Sequence, residues 1–196
     1  MKYVIRKVPE RDTAYLERLI PEAIVYNDVY HTGAINSFVS VIKRIQDDAV
    51  YVQDDMILCK DFVRRTQEYI ERYPNEVIVF SNFSHGARTC VAVKEGFYHP
   101  REGGWLLCTY IPKDIAIGFA QWWICGRWQR TVPGKRSQRW IKKQYDDIFF
   151  RQYLMEIGKS VFVVVPNLAG HPINKSVIDD RPSKITTNFD FEDAEK

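Results

Sequence analysis

Hydrophobic and polar positions follow two rhythms along this chain, and the rhythms take turns. Residues 3–7, 23–26, 49–53, 76–81, 105–111 and 160–165 are short, nearly unbroken apolar runs rich in Val, Ile, Tyr and Phe. Runs of this length and composition read as buried strands. Between them, apolar residues recur at intervals of three and four. Ile35, Phe38, Val39, Ile42 and Ile45 mark a helix within residues 31–45. Helices are also predicted over 13–19, 60–72, 112–123 and 146–156, the first capped by Asp12 or Thr13, with Pro74 and Gly158 as stops. Strands that are apolar on both sides and separated by helices imply an α/β fold, a mostly parallel sheet covered on both faces.

Composition sharpens this only a little. The 196 residues are 45% hydrophobic and 27% charged, enough for one domain with its own core. The acidic, proline-interrupted segment 179–196 reads as an appendage that wraps the surface or is mobile. Cys59, Cys90, Cys108 and Cys125 stand far apart, which suggests free thiols in apolar surroundings and a reducing compartment. No apolar run is long enough to cross a bilayer, and the first residues have no signal-peptide core, so a cytoplasmic protein without a membrane partner is expected. Neither Gly-x-Gly-x-x-Gly nor Gly-x-x-x-x-Gly-Lys-Ser/Thr occurs, which removes two common nucleotide sites.

The chemistry gathers at the carboxyl ends of the predicted strands, where ligands of such sheets bind. Asp28 follows the second strand, and Asp54 and Asp55 follow the third. Two solvated aspartates in a turn need no partner. Two held at a buried strand end call for a cation, because an unpaired buried carboxylate costs several kcal/mol. Carboxylate oxygens suit magnesium or manganese, and a bound diphosphate would complete the shell. Strand neighbours point to opposite faces, so both can serve one site only if the chain leaves the sheet there. Asp146 and Asp147 open a predicted helix. Capping and the helix dipole explain one of them. The other is a candidate general base, since desolvation and neighbouring carboxylates raise proton affinity toward a value useful for deprotonating an alcohol. His171, in the loop after the last strand, is placed to complete a metal shell, whereas His31, His85 and His99 lack such a context.

Tyr51-Val52-Gln53-Asp54-Asp55-Met56, then Asp146-Asp147, then His171 followed by Ser176, resemble in order the motifs of metal-dependent nucleotide-sugar glycosyltransferases with the GT-A fold, as found in small bacterial and phage members. The resemblance spans about residues 1–178. It implies a Rossmann-like, mostly parallel sheet flanked by helices. Residues 1–178 would form one catalytic domain, with a nucleotide-binding half at 1–60 and an acceptor and catalytic half at 105–178. It further implies a nucleotide diphosphate-sugar donor such as a UDP-sugar, and Mn2+ or Mg2+ held by Asp55 and His171. Asp54 would lie on the ribose or a metal-bound water. Asp147, beside Asp146, would be the base of an inverting hexosyltransferase. Position 53 is Gln, so the motif is x-Asp-Asp and not Asp-x-Asp, which leaves open which carboxylate binds the metal. By position, Arg6 and Arg11 would clamp the base or diphosphate, because a guanidinium pairs bidentately with phosphate. Asp28 would accept a hydrogen bond from a uracil-like base.

From Arg127 to Lys143 the chain carries seven basic residues and no acidic one, interleaved with Trp128 and Trp140 and preceded by Trp122 and Trp123. A solvated loop would look the same. As an acceptor platform it would use Trp128, Arg130, Arg136 and Trp140, with cations on phosphates and indoles on bases or sugars. Such a platform suits a polyanionic acceptor, among them phage DNA with hydroxymethylated bases, and a neutral glycan as well. Two rivals remain open at this level. One is another two-carboxylate metal enzyme, a nucleotidyltransferase or nuclease. The other is a nucleic-acid-binding module in which the carboxylates only cap elements.

Overall fold

The structure, a computed structural model, describes residues 1–81, 94–103, 106–131 and 145–170, together with Phe189 and Ala194. The described chain opens with β1 (Lys2–Lys7), α1 (Ala14–Leu19), β2 (Ile24–Asn27), α2 (Ala34–Ile45) and β3 (Ala49–Gln53). Next come β4 (Ile57–Leu58), α3 (Phe62–Arg72), β5 (Val77–Val79), β6 (Gly96–Tyr98) and α4 (Pro100–Gly103). It continues with β7 (Cys108–Ile111), α5 (Lys113–Ile124), α6 (Trp128–Thr131), α7 (Asp146–Glu156), β8 (Val161–Val163) and β9 (Ala169–Gly170).

Seven strands form one sheet in the order β2-β1-β3-β7-β5-β8-β6. β1, β2, β3, β5 and β8 run in one direction, while β7 and β6 run against them. The architecture is therefore the mixed α/β, mostly parallel, Rossmann-like sheet that the strand and helix rhythm predicts. The alternation of side chains explains why its strands are apolar throughout. Val4, Tyr51, Val79 and Val163 face one core, shared with α2, α5 and α7. Ile5, Val52, Phe80 and Val164 face a second core on the other side, under α1 and α3. With both faces covered, neither parity can be polar.

β4 and β9 form a separate two-stranded ribbon. Phe189 and Ala194 pack into the second core, and Ala194 bridges Cys59 just beyond β4. The expectation of cysteines in apolar surroundings holds for Cys59 and Cys108, which are buried, and fails for Cys125, which is exposed at the end of α5. Cys90 lies outside the described residues. Among the described residues, no helix is long and apolar enough to cross a membrane.

Candidate active site

The register of the sheet brings the candidate carboxylates to one edge. Arg6 lies level with Tyr26 on β2 and Gln53 on β3, so the three strands end together. The next residues leave the sheet. Asp54 and Asp55 occupy a turn before β4, closed by the Met56 N–H donating to the Gln53 carbonyl at 3.3 Å. Both carboxylates are thus released from the strict up-and-down alternation of a strand.

The loop after β1 closes over that turn. The Val8 N–H donates to Asp54 Oδ2 at 3.2 Å, and Arg11 Nη2 lies 3.8 Å from Asp55 Oδ2. Burial raises the Asp54 pKa above the ordinary carboxylate range, and the Asp55 charge pushes the same way. The Val8 N–H and then Arg11 and Arg6 pull it back. Two neighbouring carboxylates that repel each other in a partly dry site form a hard-oxygen donor set of the kind magnesium and manganese take. Such a cation would relieve the repulsion, so this pair fits the metal that the motif suggests. Among the described residues, no cluster of three or more His, Cys, Asp or Glu side chains forms a fuller cage. His171 and Ser176 lie outside the described residues.

The other acidic pair reaches this edge from far along the chain. Arg6 Nη2 meets Asp146 Oδ2 at 2.8 Å, with both side chains more than nine-tenths buried. The same Nη2 donates to the Ala34 carbonyl at 2.9 Å, and the guanidinium lies over the Phe38 ring at 4.7 Å. Arg6 therefore pins the first turns of α2 and α7 to the end of β1. It is seated as an internal strut, too deep to be an open phosphate clamp. Asp146 does not cap α7 through its side chain onto a later turn. Its Oδ1 accepts the neighbouring Asp147 N–H at 2.9 Å.

Asp147 is about one-fifth exposed and lies 4.0 Å from Arg151, one turn along α7. Burial pushes its pKa up to about 6. Arg151 opposes the shift, and the Asp146 charge adds to it. A partly exposed carboxyl group that changes charge near pH 6 has the proton affinity of a general base. Arg151 was open to sequence reasoning, since its i,i+4 spacing from Asp147 is a helix pair.

The remaining candidates divide sharply. Asp28 is buried and turned inward, its carboxylate accepting from the Thr32 N–H at 3.1 Å and from the Thr32 hydroxyl at 3.0 and 3.1 Å. Here it builds the turn between β2 and α2. Trp128 stacks on Trp123 with centroids 5.0 Å apart and 21° between planes, and Arg130 is exposed on α6. Trp122, grouped by sequence with the basic stretch, is a core side chain whose Nε1–H donates to Glu156 Oε2 at 2.7 Å. Arg136 and Trp140 lie outside the described residues.

No protein-family model matches the chain, and no curated protein matches it. In shape it is similar to A197 from STIV. That crystal structure matches with a TM-score of 0.52 at 10% sequence identity, covering 89% of this chain and 87% of the other. At that identity the likeness is one of fold.

Proposed function

We propose that the protein is a metal-dependent glycosyltransferase that moves a sugar from a nucleotide diphosphate donor, such as a UDP-sugar, to an acceptor hydroxyl. One observation carries this reading: Asp54-Asp55 follows β3 and Asp146-Asp147 is tied by Arg6 to the neighbouring end of β1, so both acidic pairs stand at the carboxyl edge of a Rossmann-like sheet, with Arg6 paired to Asp146 and its charge felt at Asp54. A nucleic-acid module would not need a desolvated carboxyl group held near pH 6 at the carboxyl edge of the sheet.

In this reading Asp55, with Asp54 beside it, would hold Mn2+ or Mg2+, whose chemistry there would be Lewis-acid stabilisation of the diphosphate charge. Asp147 accepts the proton of the attacking hydroxyl as the new bond to the anomeric carbon forms and the bond to the phosphate oxygen breaks. Attack from the face opposite the leaving group inverts that carbon. Asp146 fixes the first turn of α7 by accepting the Asp147 N–H, and Arg6 fixes Asp146. Arg11, 3.8 Å from Asp55 at the Asp54-Asp55 turn, is the cation that would pair with the diphosphate.

The test is thermal stabilisation by UDP and UDP-sugars with manganese and with chelator. At 100 times its dissociation constant a ligand adds about 2.7 kcal/mol to stability, a clear rise in Tm. The expected result is a metal-dependent rise that Asp55→Ala abolishes. No rise with any nucleotide diphosphate, beside salt-sensitive binding to DNA, would replace this reading with that of a binding module.

A further inference from the structure

A groove of about 420 Å³ lies on the flank of the molecule, between α2 and the corner where α5 turns into α6. This volume is in the usual range for small-molecule sites, roughly 300–1,000 Å³. Its two walls differ in chemistry. One is the indole pair Trp123 and Trp128, stacked on each other and braced from beneath by Phe149, whose ring centroid is 4.9 Å from Trp123 and 5.7 Å from Trp128. The other is a polar stripe of α2, Asn36, Ser40 and Lys43, spaced by four and three so that all three share one exposed face. Gln129 adds an amide from α6, and none of the lining residues is acidic.

The groove also has a direction. Its Asn36 end begins two residues after Ala34, whose carbonyl is held by Arg6, and Arg6 holds Asp146. From Asn36 to Lys43 it follows α2 away from the carboxylates for about 10 Å, at 1.5 Å per helical residue. Phe149, which supports the indole wall, lies one turn after Asp146 on α7. The Asn36 end of the groove is therefore the end of α2 that Arg6 ties to Asp146, and the Lys43 end points away from it.

We infer that this groove binds a saccharide chain, and, resting on the glycosyltransferase reading, that the acceptor is a glycan whose reactive end reaches Asp147. A pyranose ring has an apolar C–H face and a rim of hydroxyls. The indole wall takes the face by dispersion and burial. The amides of Asn36 and Gln129, the Ser40 hydroxyl and the Lys43 ammonium take the rim, since all can donate and all but the ammonium can also accept. The exposed cations Lys43 and Arg130, with no acid in the lining, favour sugars bearing carboxylate groups over cationic ones.

The experiment is a titration of the 15N-labelled full chain with cellohexaose, chitohexaose and a hyaluronan hexasaccharide, following the indole Nε1–H resonances. One of these saccharides should shift Trp123 and Trp128 saturably, while Trp122, buried and bonded to Glu156, stays in place. Ser40→Phe, which fills the groove from an exposed helix position, should weaken that binding by about tenfold or more, equivalent to about 1.4 kcal/mol. Trp128→Ala should do the same, with a melting curve to show that it remains folded. No indole shift with any saccharide would overturn the inference. So would binding that Ser40→Phe leaves unchanged, or the same indole shifts produced by single-stranded DNA. UDP with manganese, measured on the same samples, separates the two readings. Donor binding without saccharide binding rejects the groove alone, whereas saccharide binding without donor binding rejects the glycosyltransferase reading and leaves a carbohydrate-binding groove.

Discussion

The chain contains the same dipeptide twice at the business edge of its sheet, and the two copies are held in opposite ways. Asp54-Asp55 sits in a turn, where the Val8 N–H donates to Asp54 at 3.2 Å and the Arg11 guanidinium lies 3.8 Å from Asp55. Asp146-Asp147 starts a helix and is gripped hard, by a buried ion pair at 2.8 Å and a bond from Asp147's own backbone to Asp146. The first arrangement sets two neighbouring carboxylates side by side, with the Asp55 charge raising the proton affinity of Asp54, which suits an exchangeable cation. The second fixes one carboxylate so that its neighbour can be desolvated without the helix end moving. Identical residues thus acquire different chemistry from what surrounds them.

The comparison breaks most visibly at Asp147. Asp147→Asn should lower turnover by about 10²–10⁴-fold, the usual contribution of a positioned base, with UDP binding unchanged. In the unaltered protein the rate should climb as pH passes through about 6, where Asp147 loses its proton. A pH–rate profile flat through that region would remove Asp147 from the reaction.

Arg6 comes next. Arg6→Met keeps much of the packing over Phe38 but leaves Asp146 buried without its cation, which should cost about 3–5 kcal/mol of stability in urea denaturation. Arg6→Met combined with Asp146→Asn should recover a large part of that loss. Simple additivity of the two changes would show that they do not interact.

A smaller effect has the opposite sign. The Asp147 pKa is about 6 in the folded protein, against the ordinary 3.8. Below about pH 4 both folded and unfolded chains carry the proton, and no difference arises. As pH rises through 6 the unfolded chain has already released it, so folding bears a growing cost that stays once both are ionised. Asp147→Asn should remove this cost, gaining about 2–3 kcal/mol at pH 8 relative to its effect at pH 4. On the glycosyltransferase proposal, the replacement that lowers turnover would therefore also stabilise the fold.

The smallest effect sharpens the contrast. Arg11→Met should change stability by no more than about 1 kcal/mol, as a long, part-exposed ion pair predicts, while weakening UDP binding. Equal losses for Arg6→Met and Arg11→Met would erase the difference between the two pairs.

Legibility in the sequence followed the range of the interaction. Helix α7 was expected over 146–156 and forms over Asp146–Glu156, because its start and stop signals are local. The strands were legible as buried segments but not by direction, since an apolar run reads the same both ways. The reversal of β7 between β3 and β5 was accordingly invisible. β6 escaped notice because its three residues are partly exposed at the sheet edge and too few to show alternation. At the site, the ends of β2 and β3 announced Asp28, Asp54 and Asp55. The inward turn of Asp28 depends on Thr32, an Asx-type contact that was within reach. The pairing of Arg6 with Asp146 was not, because nothing local in either segment names a partner at the other end of the chain.

The ribbon of β4 and β9 gives the site a calendar. Ile57 and Leu58, just after the acidic turn, pair with Gly170 and Ala169. A Cβ on Gly170 would meet the Phe189 ring at 2.5 Å, so that ring lies flush on bare backbone. Ala194 bridges Cys59 beside it. A ribosome delivers Asp54 and Asp55 early and these braces late. During synthesis Asp54 and Asp55 thus emerge before β9, Phe189 and Ala194, and a nascent chain that stops short of Phe189 would carry the acidic turn without that clasp.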